Sequence, residues 1–147
     1  MVNMNDTPSF TIILFILPDK RIVLQRRTKD APYAAGKLGI FGGWVEEGET
    51  PDECLIREIK EETSLDAAKL NVQSITDFIL PKNEDFDRDR HFYLYYAHID
   101  NLSFEVYEGD GAEAFGLSEL RSRIDLTGSA VYTLENILTD ERAREIL

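Results

Sequence analysis

The spacing of apolar positions changes along the chain, and each change marks an element. Residues 9–17 form an apolar run rich in Ile and Phe that stops at Pro18-Asp19, a turn dipeptide, which predicts a strand. Residues 21–27 then alternate, with Ile22 and Leu24 opposite Val23 and Gln25, so the two segments are expected to form a hairpin. Residues 36–43 are a short apolar stretch carrying Gly36, Gly39, Gly42 and Gly43. A Gly-Gly pair weakens a strand, so the strand should bend or end there and bring bare backbone near something. Thr50-Pro51-Asp52-Glu53 supplies an N-cap hydroxyl, a proline at the first helical position and a glutamate at the third. The helix it starts should run to about Thr63, with Leu55, Ile56 and Ile59 as its buried stripe. Further strands are expected at 72–80, 91–99, 104–107 and 112–117, with a charged loop at 81–90. The last 18 residues read as helix, with Val131, Leu134, Ile137 and Leu138 at helical spacing. Strands, helix, strands, helix is the order of an α/β or α+β sandwich.

Length and composition narrow the class. The chain has 147 residues, 43% of them apolar, which fits one globular domain over 1–147 with a real core. The longest apolar run, residues 12–17, is far short of the ~20 residues that span a bilayer. The N-terminus has neither the basic start nor the apolar core of a signal peptide, so a cytoplasmic protein with no membrane partner is expected. A single cysteine, Cys54, excludes an internal disulfide and a thiolate metal site. The formal charge is −12, a field that repels nucleic acid, so no nucleic-acid partner is expected. Residues 1–42 hold six basic and three acidic side chains, whereas 43–147 hold 10 and 25. Eight of those acids crowd into 43–62.

The spacing of three of them carries chemistry. At about 100° per helical residue, Glu58, Glu61 and Glu62 share one face of the expected helix. Like charges so placed repel, and a helix in need of a polar face would interleave more lysines. A hard divalent cation removes the repulsion, and glutamates without histidine favour Mg²⁺ or Mn²⁺ over Zn²⁺.

Gly43, five residues, Glu49, seven residues, then Arg57-Glu58-Ile59-Lys60-Glu61-Glu62-Thr63-Ser64-Leu65 closely resembles the box of the MutT/Nudix hydrolases. Ser64 departs from it, standing where the pattern has a glycine that helps end the helix, so a different or slightly strained exit is expected. Phe41 stands where many members have proline, which reads as variation in the substrate pocket. The resemblance extends more weakly over residues 9–120 and includes Glu108-Gly109 to Glu113, similar to a segment that supplies a further metal-binding glutamate. It implies a Nudix fold, an α/β/α sandwich with a mixed sheet. It also implies Mg²⁺-dependent hydrolysis of a nucleoside diphosphate linked to another group, releasing nucleoside monophosphate.

Carried over by position, Glu58, Glu61 and Glu62, the Gly42 carbonyl and Glu108 are the metal ligands. Arg57 and Glu49 pair to hold helix and preceding loop in register. Glu58, Glu61 or a later-loop glutamate is the general base. Arg27, Phe41 and Arg90 are the substrate-binding candidates, with Arg90 also at home on the surface. Trp44, Tyr33 and Phe86 can stack a base, although aromatics near strands more often fill core. His91, His98 and Cys54 read as structural. Neither a Gly-x-Ser-x-Gly elbow nor a Walker-type Gly-Lys-Ser/Thr is present, which excludes serine hydrolase and P-loop chemistry. Pro81 does not discriminate between substrates, and Asn83 weighs against dinucleoside polyphosphates. A small MutT-like (deoxy)nucleoside triphosphate pyrophosphatase is the favoured reading. ADP-ribose or nucleotide-sugar hydrolysis, or a nucleotide-binding module without turnover, are the alternatives.

Overall fold

The computed structural model describes residues 7–84 and 86–147. Its elements are β1 (Ser9–Ile16), β2 (Ile22–Arg26), β3 (Leu38–Gly39), β4 (Phe41–Trp44), α1 (Pro51–Glu62), β5 (Gln73–Leu80), β6 (Arg90–His98), β7 (Ala112–Phe115), α2 (Leu117–Arg121), α3 (Gly128–Tyr132) and α4 (Asp140–Ile146). The main path of the sheet is β3-β2-β1-β6-β5, with β4 also on β1 and β7 on β2. β1 lies parallel to β6 from Ser9 opposite His91 to Ile16 opposite His98. Its other edge is divided. β2 takes Phe15 and Ile16 as the expected hairpin, and β4 takes Phe10 to Ile13.

β1 is buried on both faces, and its alternation sorts its side chains into two cores. Ile12, Leu14 and Ile16 join Ile22, Leu24 and Leu94 against Leu120, Leu126 and Leu138 from the C-terminal part of the chain. Ile13, Phe15 and Leu17 join Val23 against Leu55 and Ile59 of α1. Helices therefore cover both faces of a mixed sheet, which is the expected α/β/α sandwich. Among the described residues no helix is long and apolar enough to cross a membrane.

Four expectations are corrected. Ile56 is exposed, and the buried residues of α1 are Cys54, Leu55, Ile59 and Glu62. At about 100° per residue, Ile56 lies about 100° from Leu55, whereas Ile59 and Glu62 fall within about 40° of it. Residues 104–107 form no strand; Val106 makes one antiparallel bridge to Thr63 at the end of α1. The C-terminal helix is broken. α3 passes into a π-helical turn at Thr133–Ile137, Leu138 leaves helical geometry, and Thr139 caps a fresh start at α4. Phe41, finally, is a core residue: it is 2% exposed and packs at 5.4 Å from Phe15, beneath α1. Strand alternation turns its side chain toward α1, to the opposite face of the sheet from Ile12 and Leu14.

Phe41→Ala should therefore act on stability. Emptying a packed aromatic from the core is expected to lower the unfolding free energy by about 3 kcal/mol or more, read from urea denaturation. A variant as stable as wild type would return Phe41 to the candidates for substrate contact.

Candidate active site

The site is assembled around the start of α1. The Thr50 hydroxyl accepts from Glu53 N–H at 3.2 Å, and the Glu53 carboxylate accepts from Thr50 N–H at 3.1 Å. This is the capping box read from the sequence, of a kind worth about 1 kcal/mol. It fixes where the helix begins and hence the direction in which residues 57–62 project. Arg57 then ties helix to loop. Its guanidinium donates to both oxygens of Glu49 at 2.7 and 3.0 Å and to the Trp44 carbonyl at 2.9 Å. It also reaches Glu58 at 2.9 Å and Glu61 at 3.1 Å. The paired guanidinium holds the Glu49 carboxyl down at about 2.

The glycine pair sets how closely sheet and helix meet. β4 runs through Gly42 and Gly43 without ending, and Gly42 takes a φ of +148°. A Cβ at Gly42 would strike the backbone of Thr11, and one at Gly43 would strike the Glu58 carboxylate. Bare backbone thus lies against the acids of α1. Gly42 N–H donates to Glu62 Oε1 at 3.0 Å. Glu62 is 2% exposed. Burial first, then the neighbouring Glu58 and Glu108 charges, push its carboxyl up to about 9. Glu58 is also raised, chiefly by burial, although Arg57 opposes the shift. Glu61 points outward, its side chain half exposed.

Glu108 arrives from a loop pinned at both ends. Near α1, Ser64 N–H donates to the Glu105 carbonyl at 3.0 Å, the Ser64 hydroxyl accepts from Glu105 N–H at 2.8 Å, and Tyr107 N–H donates to the Glu62 carbonyl at 2.7 Å. The helix exit is accordingly different but not strained. Thr63 is extended, at φ −139° and ψ 165°, and Ser64 stays out of the left-handed region. On the sheet side, Asp110 N–H donates to the Arg26 carbonyl at 2.7 Å and Arg26 N–H to the Gly111 carbonyl at 3.0 Å. Glu113, the other acid of this segment, pairs with Arg26 instead.

These oxygens suit a hard divalent cation. The donor set is carboxylate and carbonyl, with no imidazole or thiol, and burial together with neighbouring carboxylate charge raises both Glu58 and Glu62. Among the described residues no three acidic, histidine or cysteine side chains already form a closed metal cage. Arg57 is the cation now nearest the cluster.

Beside the glycine pair opens a pocket lined by Gln25, Arg27, Tyr33, Trp44, Phe86 and Arg90, among others. Arg27 stacks on Tyr33 at 4.6 Å and donates to its carbonyl at 3.1 Å. Arg90 is 1% exposed and lies 3.2 Å beneath the Phe86 ring, which corrects its reading as a surface residue. Trp44, half exposed, leans on Phe10 at 4.4 Å. Among the described residues the lining includes no Asp or Glu. Of the sequence candidates, Arg27 and Arg90 reach this pocket and Phe41 does not. Thr127 and Ser129, which also line it, gave no sequence signal because they lie about 60 residues beyond the box. His91 hydrogen-bonds Asp77 and His98 the Ile146 carbonyl, away from the acids. Cys54 is fully buried against Thr11, its thiol pushed up to about 11 by burial.

A helix-covered mixed sheet with clustered glutamates beside an aromatic pocket defines a class. A family model for the NUDIX domain matches residues 6–133, and the chain belongs to that family. It is 28% identical over 93 residues to the 8-oxo-dGTP diphosphatase of Escherichia coli (strain K12), spanning 63% of this chain and 66% of that protein. The ADP-ribose pyrophosphatase of Methanocaldococcus jannaschii is 43% identical over 58 residues, 40% of this chain and 33% of that protein. Each match spans less than two thirds of the relative's length. Among solved structures, the MutT protein of Methanosarcina mazei Go1 superposes with a TM-score of 0.71 at 16% identity, covering 88% of this chain and 95% of that one.

The buried acids imply a pH signature. A carboxyl raised from 4.5 to about 9, as at Glu62, binds its proton more tightly folded than unfolded. Its contribution to stability is complete below about pH 4.5 and lost as pH rises through 9. Glu49, lowered to about 2, contributes above 4.5 and loses that as pH falls through 2. Without divalent cations the thermal midpoint should fall between pH 5 and 9, and Glu62→Gln should flatten the decline. An unchanged slope in that variant would remove Glu62 as its source.

Proposed function

We propose that the protein is a Mg²⁺- or Mn²⁺-dependent hydrolase of a phosphoric anhydride in a nucleoside diphosphate linked to a further group. A small (deoxy)nucleoside triphosphate, cleaved to monophosphate and pyrophosphate, is the favoured substrate. The observation that carries this is one juxtaposition: the buried Glu62 with Glu58 and Glu108 beside it, next to an aromatic pocket whose charged lining, among the described residues, is Arg27 and Arg90. In a chain of charge −12, a nucleotide's phosphates need positive charge at that boundary.

Glu58, Glu61, Glu62 and Glu108, with the Gly42 carbonyl, would hold the cation. When bound it neutralises phosphate oxygens and lowers the pKa of a water. Glu58 and Glu61 are the box carboxylates offered for taking the proton from the attacking water. Arg57 and Glu49 keep helix and loop in register. Arg27, Arg90, Trp44, Tyr33 and Phe86 bind the base or the distal group, by stacking and by donation to oxygen acceptors. The match to the archaeal ADP-ribose pyrophosphatase supports nucleoside diphosphate sugars as a second substrate class.

A panel of nucleoside triphosphates and diphosphate sugars with Mg²⁺, scored for monophosphate and pyrophosphate, tests the proposal. Turnover is expected to vanish with chelator and to fall roughly 100-fold in Glu62→Gln, with the fold retained by circular dichroism. Tight binding of one compound with no turnover of any would make the domain a nucleotide sensor. Wild-type turnover in Glu62→Gln at saturating substrate would remove Glu62 from the cation site.

A further inference from the structure

Glu108 is exposed and sits on an irregular loop, yet its carboxylate stands close enough to Glu58 and Glu62 to raise both. Something must hold that loop. Part of the answer is backbone: the Tyr107 bond to α1 and the paired Arg26 bonds to β2 described above. The peptide of Glu108 itself is held by a side chain. Gln25 Nε2 donates to the Glu108 carbonyl at 2.8 Å.

Gln25 is an unusual residue for its place. It follows three fully buried apolar residues in β2 and is itself only 8% exposed, so its amide needs a partner there. The next residue on the loop is fitted to the same contact. Gly109 has a φ of +75°, and a Cβ there would come to 2.5 Å from the Arg26 carbonyl and 3.2 Å from Gln25 Cγ. The loop is therefore seated directly on β2, with Gln25 filling the space beside it. Gln25 also lines the aromatic pocket, so one side chain touches both the pocket and the backbone that carries the fourth carboxylate.

We infer that Gln25 is a positioning residue for the cation site, acting through the Glu108 carbonyl to hold the Glu108 carboxylate over α1. The inference rests on the proposed role of Glu108. A group that orients a ligand without touching the ion commonly changes metal affinity 10–100-fold when removed. A single neutral hydrogen bond to the ligand's own backbone, on a loop with other tethers, belongs at the low end of that range. Gln25→Met keeps the length and volume of the side chain and removes the donor, so the core under β2 should stay filled.

The test is Mn²⁺ binding to the substrate-free protein, followed by electron paramagnetic resonance, in wild type, Gln25→Met, Glu108→Ala and the double variant. Gln25→Met should bind Mn²⁺ roughly tenfold more weakly, while the cation-free thermal midpoint stays near that of wild type. The double variant should bind no more weakly than Glu108→Ala, because Gln25 has then nothing left to position. The Mg²⁺ concentration for half-maximal turnover should rise in parallel. If Glu108→Ala weakens Mn²⁺ binding but Gln25→Met does not, or if the two losses multiply in the double variant, the positioning role is overturned and the role of Glu108 stands. If Glu108→Ala binds Mn²⁺ like wild type, the role of Glu108 fails and takes that of Gln25 with it.

Discussion

The contact on which the site depends is the side-chain-free approach of Gly42 and Gly43 to the acidic face of α1. Any Cβ at Gly43 would meet the Glu58 carboxylate, and any at Gly42 would meet Thr11 backbone. With both absent, β4 pairs with β1 and still leaves room for two carboxylates between sheet and helix. That room is nearly dry. Glu62 is 2% exposed, and one strand amide, Gly42 N–H, reaches it at 3.0 Å. A carboxylate so placed is costly as an anion unless positive charge joins it, which makes Glu62, the most buried acid among the described residues, the point where a cation has most to offset.

Arg57 limits that cost from one side. It spans the loop and the helix through Glu49, the Trp44 carbonyl, Glu58 and Glu61, so a single guanidinium orients one acid on the loop and two on the helix. Its pairing with Glu49 is bidentate, the geometry that suits arginine and that lysine cannot reproduce. The loop before α1 is thereby fixed at its middle as well as at its capped end. Glu58 and Glu62 lie deeper than Glu61, so carboxylates only three or four residues apart differ in environment.

The periodic parts of the fold were legible along the chain. The alternation at Ile22, Val23 and Leu24 sorted those residues to two faces, and both faces proved to be core. Thr50 to Glu53 fixed the start of α1, and the pairing of Glu49 with Arg57 followed from the resemblance of the box. Less legible was what helical arithmetic left to its neighbours. Glu62 lies seven residues after Leu55 and three after Ile59, spacing that puts it on the apolar stripe, yet its charge argued for solvent. Ile56 was misplaced for the same reason in reverse: its chemistry suggested burial where its angle did not. The C-terminal stretch kept helical spacing across Leu138, and only the cap at Thr139 and the π turn before it reveal the break.

What the sequence by itself determined was geometry within one element: which residues share a face, where a helix begins, and which acids lie three and four positions apart. Backbone pitch and local capping set these, and both act over a few residues. Which face is covered, and by what, was decided by the tertiary structure. Phe41 turned inward because β4 seats on β1 beneath α1, and Arg90 was buried because Phe86 folds back over it from the preceding loop. Glu108 met Glu58 and Glu62 because a loop some 50 residues downstream is tied both to the end of α1 and to β2. Burial and long-range charge depend on pairs of residues that only chain closure brings together, and no spacing along the chain encodes them.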